Sequence, residues 1–203
     1  MMIKRLIQQN WKAYIWLNIL YFGLTIVSMV LISSRPDLEN AFRTWAKTNF
    51  NPALMNAVAQ GLVMKSILLT FINNFLYATI YAMALPSLVI PFWGLLIGTI
   101  RSLLWGFALS PADPAFRVHL LAQIPTWLLE GEAYVLAMFA VFILWRNFFW
   151  PRQAGVNSRM QGYVLGIKQM LPLYAGVCFL LVLGAVYESL ATIYLVPWLI
   201  SLV

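Results

Sequence analysis

The stretch "MFAVFILW", residues 138–145, decides the architecture. It is apolar from end to end, so no face of the segment is left for water. A membrane β-strand alternates polar and apolar positions over about 10 residues, and this run does not. It reads as part of an apolar helix of a membrane protein. The same unbroken character recurs outward along most of the chain. Of the 203 residues, 63% are hydrophobic and only 9% are charged, with a mean hydropathy of +0.83. Soluble domains carry roughly 25% charged residues. The sequence therefore predicts an all-α, polytopic helical membrane protein forming a single integral membrane domain over residues 1–203.

Five spans are predicted, at about Ala13–Ser33, Ser66–Leu85, Phe92–Leu109, His119–Leu144 and Leu171–Val196. The basic N-terminus resembles a signal peptide, but its apolar region is longer than the usual 7–15 residues and no Ala-x-Ala-like site follows. It is read as an uncleaved first span. An amphipathic surface segment is expected at about 36–62. Asp37 is suited to cap a short helix there, and Asn51-Pro52 is a second start signal. Ala53, Leu54, Ala57, Val58, Gly61 and Leu62 fall on one helical face. Pro86 and Pro91 bracket a tight break, and "SPADPAFR" reads as a short loop before the fourth span. A sixth helix or half-helix at about 156–170 is the alternative, and it would move the C-terminus to the other side.

The net charge of +7 does not point to nucleic acid. The bases flank the apolar blocks, where they orient helices and meet anionic headgroups. Lys4, Arg5, Lys12, Arg146, Arg152, Arg159 and Lys168 fall on one side of the five-span topology. Arg35, Arg43, Lys47, Lys65 and Arg117 fall on the other. The expected location is the cell membrane with a cytoplasmic N-terminus, and the expected partners are the lipid bilayer and other proteins or further copies of the chain.

Polar residues inside the spans are the candidate site. Asn73, Arg101, Glu130 and Glu188 each lie roughly 12–16 Å from the outer end of their span, and so form one layer. A charge at the centre of a membrane helix costs about 2.5–3.5 kcal/mol on insertion scales, and several at one depth are best explained by facing one another. The third and fourth spans should pack antiparallel, bringing Arg101 within about 5 Å in depth of Glu130, and that pair is expected. Glu130 and Glu132 cannot point the same way, since two helical residues turn the side chain by about 200°. Pro125 frees a backbone carbonyl and is expected to kink the helix beside Glu130. Asn73 and Asn74 add amides that bridge helices or hold a ligand. The layer is either a structural lock or a substrate or proton site.

The remaining polar residues carry less. His119 is the only His and has no metal-ligand set around it, so neither a metal nor another cofactor is expected. Cys178 is alone, which excludes a disulfide framework. No nucleophile–base pair is visible and no phosphate-binding Gly-rich loop exists, so no enzymatic activity is expected.

The order "FINNFLYA", "GLLIG", "PTWLLEGEAYVLA" and "GAVYESLATIYLVP" over about residues 66–200 resembles the stage II sporulation protein M family of integral membrane proteins. Pro125, Glu130, Ala133, Glu188 and Pro197 match that family's pattern. Thr126 and Trp127 stand where its His and Gly often do, so any chemistry of that His is missing here. The resemblance implies a non-enzymatic membrane component that organises a partner complex, as the namesake is thought to do for a cell-wall-remodelling assembly. The buried layer leaves the alternative open, a transporter or permease subunit that binds substrate or a proton there.

Overall fold

The computed structural model describes residues 2–49, 51–109 and 114–202, all-helical with no strand among them. The helices are α1 (Met2–Gln9), α2 (Trp11–Ser33), α3 (Pro36–Asn49), α4 (Pro52–Ala59), α5 (Val63–Ser87), α6 (Trp93–Ala108), α7 (Pro114–Phe149) and α8 (Arg159–Ile200). Four stretches are long and apolar enough to cross a membrane: α2, α5, residues Val118–Phe149 of α7, and α8. Helix α6 is apolar but has 16 residues, about 24 Å against a hydrocarbon core of about 30 Å.

Helix α7 is the axis of the bundle. Its segment 133–145 is buried apart from the half-exposed Phe142, because each side is covered by another helix. A helix apolar on all faces needs protein or lipid on every side, and here other helices supply the cover. Helix α8 lies antiparallel along it. Gln123 Nε2 donates to Thr192 Oγ1 at 2.9 Å near one end, and Asn147 Nδ2 to Gln169 Oε1 at 2.8 Å near the other. Glycines set the closeness of these contacts. A Cβ on Gly98 would lie 2.4 Å from Met138 Sδ, and one on Gly162 would lie 2.0 Å from the Asn147 carbonyl oxygen. The Gly-x-x-x-Gly of "GLLIG" thus faces α7.

Cross-links tie one end of the bundle together. Trp145 Nε1 donates to the Ser87 carbonyl at 2.7 Å, Tyr163 Oη to the Leu88 carbonyl at 2.6 Å, and Arg146 Nη1 to Asn10 Oδ1 at 2.7 Å. Lys12, Arg152 and Arg159 lie in the segments that meet there. The side chains of Arg43, Lys47 and Arg117 lie outside the described residues, as does the 110–113 part of the expected loop, whose remainder from Pro114 is already helical.

Several local expectations change. Pro86 sits in the last turn of α5, and the chain reverses over residues 88–92 instead. There Phe92 adopts a left-handed conformation (φ +57°) rare for a bulky residue, and its ring stacks on Phe149 at 6.0 Å. Pro36 begins α3, so Asp37 lies in its first turn and pairs with Arg35 at 3.1 Å rather than capping the helix. That hydrogen bond holds the Asp37 carboxyl below its ordinary value. Asn51 does cap α4, its Oδ1 accepting from the Ala53 N–H at 3.0 Å. In the segment that follows, Ala57 is buried and Leu54 and Val58 are half-buried, whereas Ala53, Gly61 and Leu62 are exposed. The separate helix considered at 156–170 does not exist as such. Residues from Arg159 run as one helix through Pro172 to Ile200, with no break between 156–170 and the last span. Helix α7 is likewise continuous through Pro125.

Two features were not foreseen. Helix α1 is amphipathic, turning Ile3, Leu6 and Ile7 inward and leaving Lys4 and Arg5 exposed. In α5, Ile72–Ala84 is wound as a π-helix, and a shorter π segment, Ala191–Leu195, interrupts α8. Such wider turns are rare and concentrate at functional sites.

Candidate functional site

Four helices bring polar side chains together near their midpoints. From α6, Arg101 Nη2 donates to Tyr134 Oη of α7 at 2.6 Å. Tyr134 Oη donates to Asn74 Oδ1 of α5 at 3.0 Å, and Asn74 Nδ2 donates to Glu130 Oε1 of α7 at 2.6 Å. Arg101 also reaches Asn74 Oδ1 directly at 3.3 Å, and its Cζ lies 4.4 Å from the centre of the Tyr134 ring. The Tyr21 ring of α2 stacks on Tyr134 at 6.1 Å.

Every donor in this chain points from the guanidinium toward the carboxyl group. Successive hydrogen bonds of one sense polarise each other, more strongly in a low-dielectric interior than in water. The expected Arg101–Glu130 contact is therefore not a direct ion pair. Asn74 stands between the two, because its amide has both an acceptor for the guanidinium and a donor for the carboxylate.

The flanks of the cluster are short of partners. Tyr21 Oη, Arg101 Nε, Thr126 Oγ1 and Trp127 Nε1 are buried and make no hydrogen bond within the described chain. Tyr21 and Thr126 are fully buried, at 0% exposure. Thr126 precedes Glu130 by four residues and so shares its face of α7. Tyr21 stacks on Tyr134 and Thr126 shares the face of Glu130, so unpaired hydroxyls adjoin the charged cluster.

Glu130 also packs against α8, where a Cβ on Gly184 would lie 3.0 Å from Glu130 Cγ. Glu188 stands one turn beyond Gly184, half-exposed, three residues before the π segment. Glu130, by contrast, is 1% exposed.

Other predicted residues lie elsewhere. Glu132 turns away from Glu130 as the helical period requires, and it accepts a hydrogen bond from Tyr14 Oη of α2. Asn73 does not join the cluster. Its side chain is exposed on the outer face of α5. His119 belongs to the first turns of α7, away from the cluster. Among the described residues no group of three or more His, Cys, Asp or Glu is placed to hold a metal ion.

Tyr134 and Tyr21 were missed by reasoning from sequence. Tyr134 had a usable signal, since it follows Glu130 by one helical turn on the same face. Tyr21 had none, because nothing in a uniformly apolar helix marks the face that its hydroxyl takes. Comparison with family models, with curated proteins and with solved structures returns no match to this chain.

Proposed function

We propose that this protein is a non-enzymatic multi-pass component of a cell membrane, N-terminus in the cytoplasm. The cluster at the middle of its bundle takes and releases a proton during transport. On this reading α6 acts as a fifth, short span, and the segment around α4 lies on the membrane surface. The observation that carries the proposal is the directed chain Arg101–Tyr134–Asn74–Glu130 with unpaired donors around it. Charges at mid-membrane are costly and normally line a pathway or relay.

The groups facing Glu130 are Asn74 from α5, Arg101 from α6 by way of Asn74, Tyr134 from its own helix, and Glu188 across Gly184 of α8. One guanidinium thus stands against two carboxyls, which gives a protonatable site a half-exposed neighbour to exchange with. The longer π segment contains Asn74, Pro125 precedes Glu130 on α7, and the shorter π segment follows Glu188 on α8. Irregular helix is tolerated at membrane depth only where it is buried in protein or lines a cavity.

A partner-organising role, as the resemblance to stage II sporulation protein M implies, is the second reading. It is favoured by the length of α8, 42 residues or about 63 Å. That is twice the hydrocarbon thickness, so the basic end of α8, packed beside the end of α7, extends past the hydrocarbon where soluble proteins can engage it.

The test uses protein reconstituted into liposomes loaded with a pH-sensitive dye, with a potassium gradient and valinomycin setting the voltage. Wild-type protein is expected to acidify or alkalinise the lumen faster than empty liposomes do. Glu130→Gln and Glu188→Gln should each reduce that flux at least tenfold in protein that still elutes as a folded species, Glu130→Gln melting lower because Arg101 loses its counter-charge. Flux indistinguishable from empty liposomes, or unchanged in both variants, overturns the transport reading.

A further inference from the structure

The outer face of α5 carries an anomaly for a helix in lipid. Asn73 is exposed next to Asn74, near the middle of a helix long and apolar enough to cross a membrane, and no residue of the described chain hydrogen-bonds its amide. One turn and two turns on, Tyr77 and Tyr81 are 61% and 58% exposed, with ring centres 6.0 Å apart. Leu85 continues the same face at 47%. An amide left in hydrocarbon without a partner costs several kcal/mol, so a polar position of this kind calls for a matching polar group at the same depth.

We propose that this face is where a second copy of the chain docks, with the two Asn73 amides bonding reciprocally across a two-fold axis along the membrane normal. Two copies inserted in the same orientation and related by that axis bring equal depths together, so with the Asn73 face of α5 turned to the axis Asn73 meets Asn73. The amide is its own complement, one donor and one acceptor on each side. A different protein would have to present a polar group at that depth independently. Tyr77 and Tyr81 flank the contact with large, flat side chains that bury area at low entropic cost. Because Asn74 is the next residue, the dimer sets the two buried clusters side by side, one helix width from the shared interface.

The experiment measures oligomeric state in the bilayer. Fluorophore-labelled protein is diluted into liposomes of bacterial-type phospholipid, and photobleaching steps are counted. The expected result is a two-step population that falls on dilution. Asn73→Leu should weaken the dimer about tenfold, in line with two interhelical hydrogen bonds of modest strength, whereas Asn73→Gln should keep it. In a Cys178→Ser background, Asn73→Cys should cross-link to itself under mild oxidation. Val30→Cys, equally lipid-facing at 60% exposure on α2, should not. Because position 73 is exposed and hydrogen-bonds to no described residue, these variants should leave the monomer's melting temperature nearly unchanged. Overturning results are a wild-type monomer at every dilution, a dimer indifferent to Asn73→Leu, or cross-linking through position 30 and not 73.

Discussion

Replacing Arg101 by Met is expected to cost about 3–5 kcal/mol of stability, the usual penalty for removing one member of a buried charged pair. The guanidinium is the cation nearest to Glu130, and it anchors both Tyr134 and Asn74. Without it the carboxyl group keeps only the Asn74 amide, and Tyr134 loses its donor. The same reasoning predicts rescue. Arg101→Met combined with Glu130→Gln should recover most of the loss, since neither charge is then left alone. Thermal melting of the four proteins in one detergent, read as a double-mutant cycle, checks this. A coupling of about 2 kcal/mol or more is expected for residues in one network. Simple additivity would mean that the two do not share a network.

Gly106→Ala should damage the fold about as severely, by a different route. A Cβ there would lie 1.9 Å from Ser28 Oγ and 2.3 Å from the Thr25 carbonyl oxygen of α2. A backbone oxygen inside a helix cannot step aside, so α6 must move off α2 as a unit. Overpacking commonly costs about 1–3 kcal/mol and sometimes more. Here the displaced helix also carries Arg101, so the cluster should be misplaced with it. Ser28→Gly should give little rescue, because the contact with the Thr25 carbonyl remains. Gly23→Ala, with nothing within 4 Å of its Cβ, is the control and should melt within a degree or two of the wild type, or slightly above it. Equal melting temperatures for the Gly106 and Gly23 variants would show that α2 and α6 are not in this close contact.

Much of this architecture was legible because it depends on solvent preference. Unbroken apolar runs such as residues 138–145 can only be satisfied by lipid or by other helices, and the opposite facing of Glu130 and Glu132 follows from the helical period alone. The placement of Arg101 near Glu130 followed from a short connection between two apolar segments. What escaped is what local sequence does not encode. Arg159 and Lys168 lie before Leu171, where the sequence places the start of the last span, yet their segment pairs with α7 through Gly162 and Gly166, and α8 is helical from Arg159 onward. Which of Asn73 and Asn74 turns inward depends on the π winding of α5, a choice made by tertiary contacts and invisible to a 3.6-residue period. The amphipathic α1 is only 8 residues long, too short to stand out beside the apolar α2 that follows it.

The most direct test of the central claim asks whether the middle of the bundle is reachable from water. Cys178→Ser leaves a chain free of cysteine, and Thr126→Cys then places one thiol beside Glu130, on a side chain that is fully buried and unpaired. In sealed membrane vesicles, a small charged thiol reagent that cannot cross lipid should modify this cysteine from at least one side. Imposing a pH gradient should change the rate. If the site opens to water only when it works, modification will be slow in its absence but complete within the experiment. A thiol that stays unmodified from both sides, with and without the gradient, while an exposed control cysteine reacts, would contradict the account and reduce the cluster to a structural lock.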